Sequence, residues 1–192
     1  MTLAPWRPAL ARALHRNRAR AYCRYLQLAT INAEGKPSNR TVVFRGFVNE
    51  ALQMVTDSRS EKVQHIQTQP WAEVCWYFTV TREQFRLSGK LSLIGPNNAC
   101  DNNYDTVRFN VWQKLSDKAR QQFYWPHPGQ MRVNQTAFEP VVASTEQPPD
   151  SFSVLLLNAE RVEHLLLRGN PQNRYIYHQQ SEGDWRVEEV NP

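Results

Sequence analysis

Apolar positions along this chain recur with two different spacings, and the switches between them divide it into elements. Leu10 and Leu14 stand four apart among alanines, with Pro5 and Pro8 close to their start, which predicts a helix over residues 8–20. Tyr25, Leu28 and Ile31 are the apolar positions of an expected strand over 22–32, and Gly35 and Pro37 mark the turn that follows. That turn closes a hairpin with 38–47, where Thr41, Val42, Val43 and Phe44 have the β-branched and aromatic character that strands favour. A third short strand is expected over 52–56. Ser58 and Glu61 have the spacing of a capping box, ahead of a helix with Val63 and Ile66 on its apolar side and Pro70 as its stop.

Two long strands are expected over 71–81 and 84–95, joined through Thr81, Arg82 and Glu83. Val107, Val111, Leu115 and Ala119 recur in four-residue steps and predict one helix over 104–123, with Trp112 packed in the core. Residues 126–149 carry Pro126, Pro128, Pro140, Pro148 and Pro149 and read as a long loop, a feature uncommon unless functional or mobile. Strands return over 152–157 and 161–168, and 175–178 with 185–190 form a last hairpin.

With 192 residues, the chain is expected to form one domain over 1–192 with a core that needs no staples. Its 41% hydrophobic and 11% aromatic content excludes a mostly disordered chain. The net charge is +5, concentrated early in Arg7, Arg12, Arg16, Arg18, Arg20 and Arg24. Without nucleic-acid motifs, that run is expected to be a solvated helix face, not a nucleic-acid or membrane surface. Cys23, Cys75 and Cys100 are odd in number and far apart, so neither a disulfide framework nor a zinc site follows, and Cys75 is expected to be a buried small hydrophobe. No apolar run has signal-peptide or membrane-span length, and a reducing cytoplasm is the expected compartment.

The chemistry concentrates in Arg40-Thr41-Val42-Val43-Phe44-Arg45-Gly46-Phe47, then Thr56-Asp57-Ser58-Arg59-Ser60-Glu61-Lys62, then Arg82-Glu83-Gln84-Phe85. Arginines at both ends of an apolar strand, followed by a Ser/Thr-rich turn into a helix, suit one phosphate dianion beside a flat apolar ligand. Side chains alternate along a strand, so Arg40 and Arg45, five apart, face opposite ways unless a bulge intervenes, and should not serve the same anion. The bland alternatives, edge-strand surface arginines and a solvated helix start, stay open on these residues alone.

Together with the aromatic strand Trp71 to Phe78, the tail Leu167-Arg168-Gly169-Asn170-Pro171-Gln172-Asn173-Arg174-Tyr175 and the end Val190-Asn191-Pro192, these segments resemble the pyridoxamine 5'-phosphate oxidase-like proteins. Within that family the likeness is to the sub-branch known from cyanobacteria and plants. The resemblance implies a mainly β fold with flanking α-helices, an FMN-binding split β-barrel, with FMN at a homodimer interface. It places Arg40 on the FMN phosphate, the backbone from Thr41 through Val42 and Val43 to Phe44 along the flavin ring, and Val55, Thr56, Ser60, Lys62 and Gln84 on flavin-contacting positions. Arg45 stands where the oxidase has a lysine that meets the substrate's phosphate. Glu61 stands where it has an arginine, and Arg59 is the expected replacement for that charge. Gln113 and Ser116 loosely match a Gln-Ser pair at the flavin, and Arg174 is what remains of the substrate-holding Arg-x-His set. His127 and His164 have no partner that would make them catalytic. The implied function is an FMN-dependent oxidoreductase of unassigned substrate, against a flavin-binding or flavin-sensing protein without turnover, or pyridoxamine/pyridoxine 5'-phosphate oxidation itself.

Overall fold

The computed structural model describes residues 3–96, 102–141, 144–180 and 183–192, except for the side chains of 102–105. Helix α1 (Arg7–Asn17) and a short 3-10 turn (Ala21–Arg24) lead into β1 (Tyr25–Ile31), which pairs with β2 (Pro37–Val43). After β3 (Gly46–Val48), β4 (Ala51–Asp57) and α2 (Glu61–Thr68) come β5 (Trp71–Phe78) and the long β6 (Glu83–Ile94). Helices α3 (Asn102–Gln113) and α4 (Asp117–Gln121) precede β7 (Phe152–Leu166), and β8 (Asn173–Gln179) and β9 (Trp185–Val190) close the chain. All pairings are antiparallel, in the order β2-β1-β5-β6-β7-β4-β3, with β8 and β9 continuing from β7.

The two strands expected over 152–157 and 161–168 are one strand that changes partner. Its first half, Phe152 to Leu157, pairs with β4, and its second half, Arg161 to Leu166, pairs with β8, while β6 runs along both. The changeover coincides with a register shift at Ser88/Gly89. A Cβ on Gly89 would stand 1.9 Å from the Asn158 carbonyl oxygen, so only glycine permits this close approach. This fork splits the barrel, and β2 closes it by packing against β4, helped by the Arg45 N–H donating to the Gln53 carbonyl at 2.8 Å.

Alternating inward residues fill the barrel with Leu26, Leu28, Met54, Val74, Trp76, Phe78, Phe85 and Leu87, all fully buried. A second apolar cluster outside it packs Trp112, Leu115 and Phe123 onto Phe152 and Leu156. Trp112 is a core residue as expected, its indole donating to the Ser144 carbonyl at 2.8 Å. The helix expected over 104–123 is interrupted, because Ser116 takes extended backbone and caps α4, accepting from the Ala119 N–H at 3.4 Å. Cys75 is half-buried and faces outward between the inward Val74 and Trp76, so it is not the core residue expected; Cys100 lies outside the described residues. Among the described residues, no helix is long and apolar enough to cross a membrane.

Candidate functional site

A cavity of about 560 Å³ lies where β2 and β4 meet, walled on its far side by α4 and the segment after it. Arg40, Thr41, Val42, Val43 and Arg45 line it from the β2 side, Val55, Thr56 and Asp57 from β4, and Lys62 from α2. Arg40 and Arg45 therefore meet one cavity. Regular alternation gives no guide here because β2 ends at Val43, before Arg45.

Arg40 is held from behind. Its Nη1 donates to the Leu28 carbonyl at 3.1 Å and to Thr30 Oγ1 at 2.7 Å. Thr30 Oγ1 lies 3.0 Å from His65 Nδ1, and with Arg40 already donating to this oxygen, the hydroxyl proton is free to point at Nδ1. That leaves the imidazole proton on Nε2, 3.4 Å from Glu61. The capping box expected between Ser58 and Glu61 does not form, since Glu61 turns to His65 and Ser58 Oγ donates to the Asp150 carbonyl at 2.9 Å. The N-cap is Ser60, one residue before α2, and its side chain makes no capping bond, so the first turn keeps its backbone N–H groups without a side-chain cap.

Lys62 donates to Thr56 Oγ1 at 3.1 Å and Ser60 Oγ at 3.0 Å, and Ser60 Oγ donates to the Asp57 carbonyl at 2.7 Å. Burial lowers the Lys62 ammonium from its ordinary value, and neighbouring Arg40 lowers it further. Burial likewise lowers Arg40, and it lowers Arg45 together with the like charge of Arg24. Arg45 Nε is buried without a hydrogen-bond partner among the described residues. None of these three cations forms an ion pair there. The carboxylate in the lining, Asp57, is taken by Arg59 in a two-pronged bond, Nε to Oδ1 at 2.9 Å and Nη2 to Oδ2 at 2.6 Å. Arg59 also donates to the Trp125 carbonyl at 3.0 Å and does not line the cavity, so the structure directs it to Asp57 and the following loop.

Three other expected residues lie away from this cavity. Ser116 caps α4, although its neighbours Leu115 and Ala119 do line the space. Gln84 faces outward on β6, opposite the inward Glu83 and Phe85 and three strands from β2. Arg174 on β8 pairs with Glu163, which also receives Arg161 and, at 3.4 Å, Arg86. Arg174, expected at the substrate, thus lies on the outer sheet face. His164 is buried against Glu83, 2.8 Å from Nε2 to Oε2, and stacks on Phe85 at 4.1 Å, a structural setting. His127, by contrast, lines the cavity with Trp125, Met131 and Arg132. The sequence reading assigned that loop no role; its prolines and aromatics between two core segments were the available signal.

This geometry agrees with what the chain is similar to. The pattern described as "Pyridoxamine 5'-phosphate oxidase, FMN-binding domain" matches residues 3–95. Pyridoxine/pyridoxamine 5'-phosphate oxidase 2 of Arabidopsis thaliana is 35% identical over 99% of this chain and 98% of its own length. A pyridoxamine 5'-phosphate oxidase-related, FMN-binding protein of Nostoc punctiforme, known from its crystal structure, is 51% identical with full coverage of both chains and superposes with a TM-score of 0.96. PhzG from Burkholderia lata, at 18% identity and a TM-score of 0.79 over 100% of this chain and 98% of its own, shares the fold. A barrel forked at β7, a cation-lined cavity between β2 and β4, and relatives matched over their whole length place this chain in the pyridoxamine 5'-phosphate oxidase family of FMN-binding split barrels.

Proposed function

We propose that this chain binds FMN in the β2–β4 cavity and acts as an FMN-dependent oxidoreductase on a small substrate. The observation that carries the reading is the presence of three cations, Arg40, Arg45 and Lys62, half-buried around one cavity without a carboxylate of their own. Keeping cations desolvated and unpaired is unfavourable unless an anion joins them. A phosphate monoester fits. Arg40 presents Nε and Nη2 while its Nη1 is anchored, Lys62 adds a point charge, Thr56 and the uncapped first turn of α2 add donors, and Ser60, its own proton on the Asp57 carbonyl, holds Lys62 in place. Arg59 contributes indirectly, by neutralising the Asp57 carboxylate that would otherwise repel the phosphate.

Thr41, Val42, Val43 and Val55 offer a flat, largely apolar wall beside this cradle, suited to an isoalloxazine ring. When bound, FMN supplies the redox chemistry, and the chain's work is positioning, electrostatics and exclusion of water. Gln84 shares the outer face with Thr41 but lies three strand spacings away, about 14 Å at the usual strand separation. It reaches a flavin only as part of a second copy, so the site is shared across a homodimer. The unpaired Cys23 and Cys75 suit a reducing cytoplasm. A second reading, pyridoxine or pyridoxamine 5'-phosphate oxidation itself, is favoured by the name of the Arabidopsis relative.

The test is an absorption spectrum of the purified protein, with the released chromophore identified by mass. A yellow protein releasing FMN is expected, and a colourless protein that also fails to take up added FMN would end this reading. Mixing the Arg40→Ala and Gln84→Ala variants tests sharing. Heterodimers regain one intact site only if the two residues serve the same flavin from different subunits.

A further inference from the structure

We infer that the loop following α4 is the substrate wall of this site, and that Arg132 on it selects an anionic substrate. This rests on the FMN reading and goes beyond it to a residue and a ligand class. Four cations line the cavity among the described residues, Arg40, Arg45, Lys62 and Arg132, and the carboxylate there, Asp57, is already bound to Arg59. A phosphate monoester carries a charge of about −1.5 to −2 at neutral pH. Arg40 and Lys62 balance it. Arg45 and Arg132 are then left over, one in the strand break after β2 and the other on the loop, with no carboxylate bonded to either. A second anionic group, brought by the substrate, completes the balance.

The loop is built to hold Arg132 in place. A 3-10 turn, Gln135–Phe138, is started by Asn134, whose side chain accepts from the Thr136 N–H at 3.2 Å. It sets Phe138 edge-on to Trp125, with ring centroids 5.8 Å apart. The Arg132 guanidinium lies 4.0 Å from the Phe138 ring centroid and donates to Gln135 Oε1 at 2.8 Å. Stacked in this way, the guanidinium has a fixed plane and keeps donors for a two-pronged bond to a carboxylate or phosphate. The base of the loop is tied to the phosphate cradle by Arg59, which bridges Asp57 and the Trp125 carbonyl, and Ser151 Oγ donates to the Phe123 carbonyl at 2.5 Å. Cofactor cradle and substrate wall are therefore one mechanically connected unit.

The experiment titrates the FMN-loaded protein with matched probes and follows the flavin absorption difference. One pair is 4-deoxypyridoxine 5'-phosphate and 4-deoxypyridoxine, which lack the oxidisable group, and the other is nicotinate and nicotinamide. The anionic member of at least one pair should bind at least tenfold tighter than its neutral counterpart, and the pair that does so tells phosphate from carboxylate. In Arg132→Gln that preference should fall at least tenfold with FMN affinity unchanged, and Arg132→Lys should restore part of it. Equal binding of charged and neutral probes, a preference that survives in Arg132→Gln, or an equal loss of FMN affinity in that variant would each overturn the inference. A protein that takes up no FMN fails earlier, at the cofactor reading.

Discussion

On the outer sheet face Glu163 is nearly buried and gathers Arg86, Arg161 and Arg174, whereas in the cavity Arg40, Arg45 and Lys62 surround a space with no carboxylate to spare. The two regions hold similar residues and opposite electrostatics. Burial alone would lower Arg86, but the hydrogen bond and charge of Glu73, with the charge of Glu163, raise it above its ordinary value. Burial alone would raise the Glu163 carboxyl, but the bonds from Arg174 and Arg161 and the charge of Arg86 hold it below the carboxylate range. In the cavity the compensation is incomplete: Glu61 raises Arg40, and Asp57 and Glu61 raise Lys62, but burial outweighs them and all three cations, Arg45 included, are lowered. A saturated cluster belongs to the architecture, while an unsaturated one is set up for a ligand.

The strongest way to break this contrast is to unbalance the saturated side. Glu163→Gln leaves Arg161 and Arg174 without their carboxylate beside Arg86, which keeps Glu73, and should destabilise the fold by about 3 kcal/mol in chemical denaturation, with little change in FMN uptake per folded molecule. Arg40→Ala should do the reverse, weakening FMN about 100-fold, equivalent to roughly 2.7 kcal/mol, in a fluorescence titration. Lys62→Met removes a desolvated charge beside Arg40, so it should weaken FMN about tenfold while the apo-protein is no less stable. A variant that loses both would show that the cavity cations serve the fold.

Acid and alkali sharpen the same contrast. Because the folded pKa of Glu163 lies below its unfolded value, near 4.3, its contribution is complete above that value and is lost as pH falls through the folded one. The Glu163→Gln variant should therefore show a flatter acid limb in its stability profile. For Lys62 the folded pKa is also lowered, but the group is a cation, so folding is hindered by its charge at neutral pH and is relieved as pH rises toward its unfolded value, near 10.4. Apo stability should rise across that window while FMN affinity falls. The fall should be absent from Lys62→Met, a comparison that cancels ionisation of the flavin itself. The smallest effect is expected at Arg59→Ala, a loss of FMN affinity of a few fold through the unmasked Asp57, with a larger effect on loop-dependent probe binding.

Most strands were legible from β-branched and aromatic runs bounded by turn residues, but their inward face was not: β1 buries Leu26 and Leu28 while Tyr25, one of its expected apolar positions, is exposed, and Cys75 faces outward between Val74 and Trp76. The cradle residues Arg40, Thr56 and Lys62 were legible as a pattern that resembles a family, and the structure brings them to one cavity. Four readings were not recoverable locally. The Ser58–Glu61 capping box had the right spacing, but Asp150 and His65 offered those side chains better partners from elsewhere in the fold. Arg59 was expected to stand in for a missing charge and instead holds Asp57. Arg174 was set on the substrate side and is engaged by Glu163. The helix over 104–123 kept its four-residue steps in sequence but breaks where Ser116 caps a second helix against the Trp112 cluster.

By itself, the sequence determined most element types and, through resemblance to a family, the segments that meet at the cavity, since hydrophobic period and turn residues act over a few positions. Tertiary structure decided which charges are neutralised. Whether an arginine meets a carboxylate depends on strands brought together from far apart in the chain, as Arg86 on β6 meets Glu163 on β7 and Leu52 on β4 pairs with Leu157. It also decided that Arg45, beyond the end of β2, joins Arg40 at one cavity, and that a proline-bearing loop becomes the cavity's opposite wall.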